Sequence, residues 1–365
     1  MKDVQLVAEA MRAFGLLPGK YAYRKYGDGH INDTYLCISP WGRAALQRIN
    51  SNVFKNPHLV MDNAFAVTRH IANHIEKEGG NPRCGTLMFI ATRDNKPYYV
   101  DSNGDVWRAT HFLEDTTTYS RAEDEHMLES AAGAFGRFML MLADFPADTL
   151  HETIPDFHNT PKRYNDFLTV LEKDENNRAA SAKEAVEFVL SRSDKVGLLV
   201  DMLDKGLLPL RVTHNDTKLN NVLFSVKTGE AICAIDLDTV MPGLSAYDFG
   251  DAIRSGANRV DEDKAKRGDF SMKFFEAYAR GYINNCASVL TQNERDVLAS
   301  SACLLTFECG MRFLHDYIDG DKYFRVEHTT HNLQRAISQF NLVADMENKL
   351  SQMEKVIKEL VKNTK

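Results

Sequence analysis

Two stretches decide the fold of this chain: THNDTKLNNVLF at residues 213–224 and AIDLDTVMPGLSAYDFGDAIR at residues 234–254. Each gathers polar residues within apolar surroundings and has the composition of a loop next to a short strand. In the first stretch Asp216 is followed after four residues by Asn221, and in the second Asp236 ends a strand. Amide and carboxylate oxygens on two such loop ends predict a site for a hard cation.

The spacing of these three residues has a chemical reason. An Asp followed by an Asn, with a further Asp at the end of a later strand, matches the catalytic-loop and metal-binding residues of kinases. Phosphoryl transfer from ATP needs an acceptor hydroxyl held in line with the γ-phosphate and Mg²⁺ to neutralise charge. We therefore predict Asp216 as catalytic base, Asn221 and Asp236 as metal ligands, and ATP and Mg²⁺ as cofactors. The alternative interpretation of the motif is a turn in which Asp and Asn cap local backbone.

Outward from these loops, the residue pattern differs between the two parts of the chain. Before residue 114 it predicts the order β-β-β-α-β-β, with a helix at about 57–78. The strand-like stretches are KYAYRKYGDGHINDTYLCIS, GRAALQRIN, LMFIATR, PYYV and VWRATHFL. After residue 114 helical periodicity dominates, for example in AKEAVEFVLSRSDKVGLLVDMLDKG at residues 182–206, and it is interrupted by LPLRVTHND, NNVLFSV and AICAIDLD. The prediction is an α+β, two-lobed protein-kinase-like fold, with an antiparallel nucleotide-binding lobe at residues 1–113 and a mainly helical lobe at 114–365.

Composition narrows the class of protein. The 365 residues carry a formal net charge of −7, which argues against nucleic acid as the main partner. The first helix mixes charges into an amphipathic pattern, unlike a signal peptide, and no later stretch is expected to reach the length of a membrane span. Six cysteines without C-x-x-C pairing suit buried thiols in a reducing compartment. We expect a cytoplasmic protein with no membrane or nucleic-acid partner, as either a monomer or a homodimer.

These residues resemble the aminoglycoside phosphotransferase and choline kinase superfamily, and within it the N-acetylhexosamine 1-kinases. The resemblance covers nearly the whole chain and is carried by YGDGHINDTYL, LQRIN, PLRVTHNDTKLNNVLF, AIDLDTVMPGLSAYDFGDAIRSGAN and LTFECGMRFLHDYIDGDKYF. It implies transfer of the ATP γ-phosphate to the anomeric 1-hydroxyl of GlcNAc or GalNAc, an amino-sugar substrate. It also implies that Asp216, Asp236, Thr239 and Arg312 lie near the sugar or its departing phosphate.

Arg312 is chemically suited to that role. A guanidinium binds phosphate or sugar oxygens bidentately, and the setting of this one, ECGMRFL, is otherwise an apolar helix. The alternative is an ordinary ion pair with Glu308, one helical turn earlier.

The nucleotide contacts are predicted from weaker signals. The turn containing Gly27, Gly29 and His30 is expected to cover the phosphates with backbone N–H groups, although such turns are common in sheets. Phe112 and Leu113 are expected to supply hinge contacts to adenine, and their alternative role is a strand leaving the sheet.

The chain also departs from the protein-kinase pattern. The third strand reads Ala-Leu-Gln47-Arg48 where a Lys is usual, and the following helix offers no Glu before Glu76. Gln47 is the predicted phosphate contact, with Arg48 the alternative, since strand alternation does not tell which side chain faces the nucleotide. Asp238 fits either a second contact to the metal or to the sugar, or a turn-stabilising role.

The remaining polar residues of the two stretches are predicted to be structural. Asp248 and Asp251 are expected to cap a helix or to brace a neighbouring loop through its backbone N–H groups. His214 is expected to support the loop by hydrogen bonds. The spacing of His328 and His331 is too weak a signal, and no zinc site is predicted.

Two alternative functions remain open from the sequence. One is a kinase for another small hydroxyl compound, such as choline, ethanolamine, homoserine, methylthioribose or an aminoglycoside; a choline site would need an aromatic cage. The other is a pseudokinase that binds nucleotide without turnover, suggested by the missing Lys and Glu pair.

Overall fold

The computed structural model describes residues 2–19, 22–27, 31–260 and 269–364. The chain packs into two compact units, each assembled from three stretches of chain. Unit 1 comprises Met1–Thr118, Met141–Ile154 and Val222–Pro242, and unit 2 comprises Tyr119–Leu140, Pro155–Asn221 and Gly243–Lys365. The two lobes expected at residues 1–113 and 114–365 stay a prediction.

The strands are β1 Tyr23–Lys25, β2 Asp33–Ser39, β3 Gly42–Arg48, β4 Tyr99–Val100, β5 Val106–His111, β6 Thr116–Thr117, β7 Arg211–Thr213, β8 Val222–Ser225, β9 Ala231–Ala234 and β10 Met241–Gly243. The helices are α1 Lys2–Ala13, α2 Pro57–Lys77, α3 Glu125–Met141, α4 Thr160–Lys173, α5 Lys183–Leu190, α6 Leu198–Asp204, α7 Ser245–Gly256, α8 Met272–Cys286, α9 Gln292–Ile318 and α10 His331–Asn363. This mixed α+β composition, with an antiparallel sheet in the N-terminal part and a mainly helical C-terminal part, confirms the predicted fold class.

Unit 1 is built around an antiparallel sheet of five strands in the order β1-β2-β3-β5-β4. The predicted succession β-β-β-α-β-β is confirmed in this part of the chain. Alternation along β3 buries Ala44 and Leu46, which join Trp107 and the apolar side of α1 in one core. A second antiparallel sheet, β6-β8-β9, also belongs to unit 1.

The observed elements differ from the predicted ones in three places. The stretch LMFIATR is not a regular strand: residues 88–90 run beside β5, with the Ile90 N–H donating to the Ala109 carbonyl at 2.8 Å, and Phe89 forms only an isolated bridge. Strand β6 was missed because two residues are too short for periodicity to register. The helical stretch 182–206 divides into α5 and α6, since the turn-prone SRSD sequence interrupts its periodicity.

Unit 2 is organised around α9. By length and composition alone this helix is able to cross a membrane, contrary to the expectation that no stretch would reach that length. Some 78% of its most apolar window is buried inside the protein, as in a core helix. It packs closely on α7, since a Cβ added at Gly250 would lie 2.7 Å from the Ser301 carbonyl oxygen.

Candidate active site

The catalytic segment, residues 214–221, follows β7 in unit 2. The Asn221 side-chain amide donates to the Asp216 carboxylate at 2.9 Å and to the Asp216 carbonyl at 2.8 Å. Asn221 is buried, whereas Asp216 remains about a quarter exposed in its side chain. Because the amide nitrogen is used on Asp216, its oxygen is the atom that can coordinate a metal. The structure therefore brings two of the predicted residues together.

Lys218 belongs to the same segment and was not singled out from the sequence. Its ammonium lies 2.6 Å from the other Asp216 carboxylate oxygen. Burial alone would lower the pKa of Lys218, but the charges of Asp216 and Asp251 outweigh it and raise the pKa above its usual range. The segment therefore holds a carboxylate and a cation side by side, which suits contact with a phosphate.

The backbone of the catalytic segment is braced by Asp248 on α7. Its two carboxylate oxygens accept from the backbone N–H groups of His214 at 2.9 Å and Asn215 at 2.7 Å. Burial is the main reason why the pKa of Asp248 is raised above its usual value. The His214 imidazole in turn accepts from the Asp216 N–H at 3.3 Å. The predicted structural roles of Asp248 and His214 are confirmed.

Asp251 is held by a different partner. It forms an ion pair with Arg254 three residues later on α7, with 2.8 Å between Asp251 Oδ1 and Arg254 Nε. Burial would raise the pKa of Asp251, but the charges of Arg254 and Lys218 lower it below its usual range. This supports the structural interpretation of that residue as well.

A second brace holds β7, the strand that leads into the catalytic segment. Arg211 on β7 forms a bidentate pair with Glu294, at 3.0 and 2.8 Å. Glu294 also accepts from the Ser245 hydroxyl at 2.9 Å and closes a capping box with Thr291 at the start of α9. One buried carboxylate thus ties together β7, α7 and α9.

In unit 1, the second predicted loop forms the Asp236 turn, residues 236–239. Asp236 follows β9, is exposed, and has a left-handed backbone with φ of 60°. A non-glycine residue in this conformation costs on the order of 1–2 kcal/mol, and such costs concentrate at functional sites. Thr239 ends the short 3₁₀ turn that begins at Leu237 and is half-buried. An exposed carboxylate on a rigid turn is suited to metal binding.

Asp238 faces the opposite way and is buried. It forms an ion pair with Arg108 on β5 and accepts from the Asn32 side-chain amide. Strand register explains the next contacts, because Thr34, Gln47 and Arg108 lie directly opposite one another across β2, β3 and β5. Gln47 accepts from Arg108 at 2.9 Å and donates to Thr34 at 3.0 Å. For Asp238, the structure supports turn stabilisation, which is one of the two roles predicted from the sequence.

Strand alternation separates the two candidates on β3. Gln47 lies on the face that reaches Asp238, whereas Arg48 is turned to the other face, where it pairs with Asp33 and lies over the Trp107 ring. Both ends of the Gln47 amide are engaged within the protein. Its contact with nucleotide stays a prediction, and Arg48 is the less suitable alternative.

Helix α2 contacts the residue that follows the Asp236 turn through a side-chain amide. The buried Asn63 side chain donates to the Val240 carbonyl at 2.9 Å and to the His151 carbonyl at 2.7 Å. The backbone N–H of His151 donates back to Asn63 at 2.9 Å. A neutral residue in this position binds backbone and needs no charged partner.

Of the other predicted nucleotide contacts, Gly27 follows β1, and Phe112 and Leu113 follow β5. Gly27 has φ of 79°, which favours glycine; Gly29 and His30 lie outside the described residues. The Phe112 N–H donates to the Arg43 carbonyl at 3.1 Å, and the Leu113 carbonyl accepts from Thr116 at 2.8 Å. Their contacts to adenine stay a prediction.

Arg312 lies on α9 among three aromatic rings. Its guanidinium carbon is 5.8 Å from the ring centre of Phe157, 5.9 Å from Tyr323 and 5.5 Å from Phe324. Glu308 does not pair with it: that carboxylate is taken by His158 at 2.9 Å and Thr160 at 2.6 Å. Within residues 31–260 and 269–364, no salt bridge involves Arg312. The ion-pair alternative is therefore wrong.

Three solved structures are similar in fold to this chain. A microcompartment-associated aminopropanol kinase is similar over 96% of this chain and 99% of its own, with a TM-score of 0.61 and 13% identity. A choline kinase from Cryptosporidium parvum Iowa II matches over 96% of both chains with a TM-score of 0.57 and 14% identity. The GDP complex of aminoglycoside 2′-phosphotransferase-IIIa covers 97% of this chain and 98% of its own, with a TM-score of 0.53 and 10% identity. At these identities the likeness establishes the kinase-like fold.

The family of this chain is shown by its match to a family model. The model of the phosphotransferase enzyme family, APH, matches residues 22–290, which include the catalytic segment and the Asp236 turn. The chain therefore belongs to the APH phosphotransferase enzyme family and is a small-molecule phosphotransferase.

Proposed function

We propose that this protein transfers the γ-phosphate of ATP to the anomeric 1-hydroxyl of an N-acetylhexosamine, GlcNAc or GalNAc. The acceptor oxygen bonds to the γ-phosphorus, the bond to the β-phosphate oxygen breaks, and the acceptor proton passes to the Asp216 carboxylate. The products are a sugar 1-phosphate and ADP. The observation that carries the phosphoryl transfer is the arrangement of Asp216, Lys218 and Asn221 on one doubly braced segment, and the surroundings of Arg312 support the choice of acceptor.

Nucleotide use is supported by the family and by the GDP-bound relative of the same fold. In the proposed reaction Lys218 moves from Asp216 to the transferred phosphate, where its charge is complementary to the phosphate oxygens. Asp216 is then released to receive the acceptor hydroxyl.

The residues present fit Mg²⁺. Asn221 offers an amide oxygen whose orientation is fixed by the Asp216 contact, and Asp236 offers an exposed carboxylate on a rigid turn. Both are hard oxygen donors of the kind that Mg²⁺ prefers when it is shared with phosphates. The ion, when bound, neutralises charge on the phosphates.

The surroundings of Arg312 favour a neutral acceptor over a cationic one. The rings of Phe157, Tyr323 and Phe324 already face the Arg312 guanidinium, whereas the nearby Arg163 is paired with Glu308 at 3.7 Å. A choline or aminoglycoside cation in the same place would be repelled by the charge of Arg312. A sugar can instead accept hydrogen bonds from Arg312 through its hydroxyl oxygens.

The acceptor is tested by ³¹P NMR of the purified protein with Mg-ATP and separate samples of GlcNAc, GalNAc, glucose, choline and an aminoglycoside. We expect an anomeric sugar phosphate with the N-acetylhexosamines alone. A phosphorylated choline or aminoglycoside would keep the phosphotransferase and replace its substrate. ATP binding without any product would favour the pseudokinase.

The base is tested by Asp216→Asn. This change keeps the volume and a hydrogen-bonding partner for Asn221 but removes the proton acceptor, so turnover should fall by about 10²- to 10⁴-fold. Folding and ATP affinity, measured by circular dichroism and calorimetry, should stay close to wild type. Unchanged turnover would exclude Asp216 as the base.

A further inference from the structure

Three side chains of unit 1 that take no part in the proposed reaction meet at one point. His70 and His74 are four residues apart on α2 and therefore share a face of the helix. Asp144 lies in the stretch 141–154, which begins at the end of α3 and belongs to unit 1. One ligand atom from each of the three residues lies within 4.8 Å of the other two.

The nitrogens of both imidazoles point at the same oxygen. His70 Nε2 lies 2.8 Å and His74 Nε2 3.1 Å from Asp144 Oδ1, and the two ring centres are 4.8 Å apart. The hydrogen bond from His70, and to a smaller extent the one from His74, holds the pKa of Asp144 below its usual value. The cluster therefore places one carboxylate oxygen and two imidazole nitrogens at the same point.

Access from solvent is open. The side chains of His70 and His74 are 24% and 29% exposed, and that of Asp144 is 67% exposed. The His70 ring is also held edge-on by Phe145, with 5.2 Å between ring centres. An ion can therefore enter without moving the helix, and one imidazole is already oriented by packing.

We propose that His70, His74 and Asp144 form a binding site for a divalent transition metal, Zn²⁺ in the first instance. Two imidazole nitrogens with one carboxylate oxygen, completed by water, are a ligand set typical of zinc and of its neighbours in the transition series. Mg²⁺ prefers oxygen donors and should be a poor competitor. The bound metal would join α2 to the stretch 141–154, a connection within unit 1.

The absence of a zinc site from the sequence prediction has a simple cause. The His-x₃-His spacing was present, but the third ligand is 70 residues further along the chain. The spacing of two His residues alone does not distinguish a metal site from an ordinary helix face.

The test is a calorimetric titration of the metal-free full-length protein with Zn²⁺ in excess Mg²⁺. We expect one Zn²⁺ per chain. The His70→Ala/His74→Ala variant should bind at least about tenfold more weakly, since even a change next to a ligand costs a metal site about 10- to 100-fold. Asp144→Asn should give a smaller loss.

The control is His328→Ala/His331→Ala, which removes a stacked pair of imidazoles 4.9 Å apart in unit 2. Because His331 is buried and accepts from the Glu327 N–H, circular dichroism first verifies that this variant is folded. It should leave the affinity unchanged. Co²⁺ added in place of Zn²⁺ should give visible absorption bands in wild type and in this control, but not in the His70/His74 variant. The proposal would be overturned if both double variants lost Zn²⁺ affinity equally. It would also be overturned if wild type bound Zn²⁺ no more tightly than the His70/His74 variant.

Discussion

The catalytic segment and the Asp236 turn are both held by a buried aspartate, but by opposite means. Asp248 braces the first by accepting from two backbone N–H groups, and Asp238 braces the second by pairing with the Arg108 guanidinium. A carboxylate bound to two backbone N–H groups can be replaced in part by a neutral acceptor of similar shape, which leaves one N–H without its partner. A carboxylate paired with a buried cation cannot, because its loss leaves the cation uncompensated.

The largest effect is expected from Asp238→Ala. Arg108 is only 4% exposed in its side chain, and removal of one partner of a buried pair costs roughly 3–5 kcal/mol of unfolding free energy. Urea unfolding followed by circular dichroism measures the loss. The double variant Arg108→Met/Asp238→Leu removes both charges and should recover much of that stability. A double variant less stable than Asp238→Ala would contradict the comparison.

A smaller effect is expected from Asp248→Asn. The Asn oxygen can still accept from one backbone N–H, so that the other is left without its acceptor, at a cost of about 1–3 kcal/mol. Turnover should fall as well, because His214 and Asn215 set the position of Asp216. Urea unfolding and the ratio of kcat to KM for ATP separate the two effects. A loss as large as that of Asp238→Ala would show that backbone bracing is no more tolerant than ion pairing.

The smallest and most specific effect is in the pH dependence. Burial would raise the pKa of Glu294, but its bonds with Arg211 and its other partners lower it below 4.5. Its contribution to stability is therefore present above that value and lost as the pH falls through the folded pKa. Burial raises the pKa of Asp248 above 3.8, so its contribution has the opposite sign and is lost as the pH rises.

Unfolding free energies of wild type, Glu294→Gln and Asp248→Asn, measured from about pH 3.5 to 7, test this contrast. The difference between wild type and Glu294→Gln should grow as the pH rises. The difference between wild type and Asp248→Asn should shrink. Two differences of the same sign would disprove the opposite pKa shifts.

The part of the site that could be predicted from the sequence is the part that is local in the chain. Asp216 and Asn221 are five residues apart, and His214 supports Asp216 two residues away. Asp248 reaches the segment across 34 positions, and its structural role was predictable because an Asp near the start of a helix commonly binds backbone N–H groups. The identity of the acceptor and the contacts of Gly27, Phe112 and Leu113 with nucleotide stay predictions.

The residues that sequence reasoning missed act over long separations. Arg108 meets Asp238 across 130 positions, and Asn63 reaches Val240 across 177. Only strand register and helix packing decide such contacts, and periodicity within a single segment does not contain them. Lys218 is the exception: it lies two residues after Asp216, and a count of the cations within the motif would have found it.

Helix α9 has a consequence for the synthesis of this protein. Its apolar length is covered in large part by α10, with Phe340 of α10 pressed against Gly310 of α9. Until α10 has left the ribosome, a nascent chain therefore carries a helix with the hydrophobicity of a membrane segment that lacks one of its main packing partners. Chaperones that recognise exposed apolar segments would meet this protein at that stage.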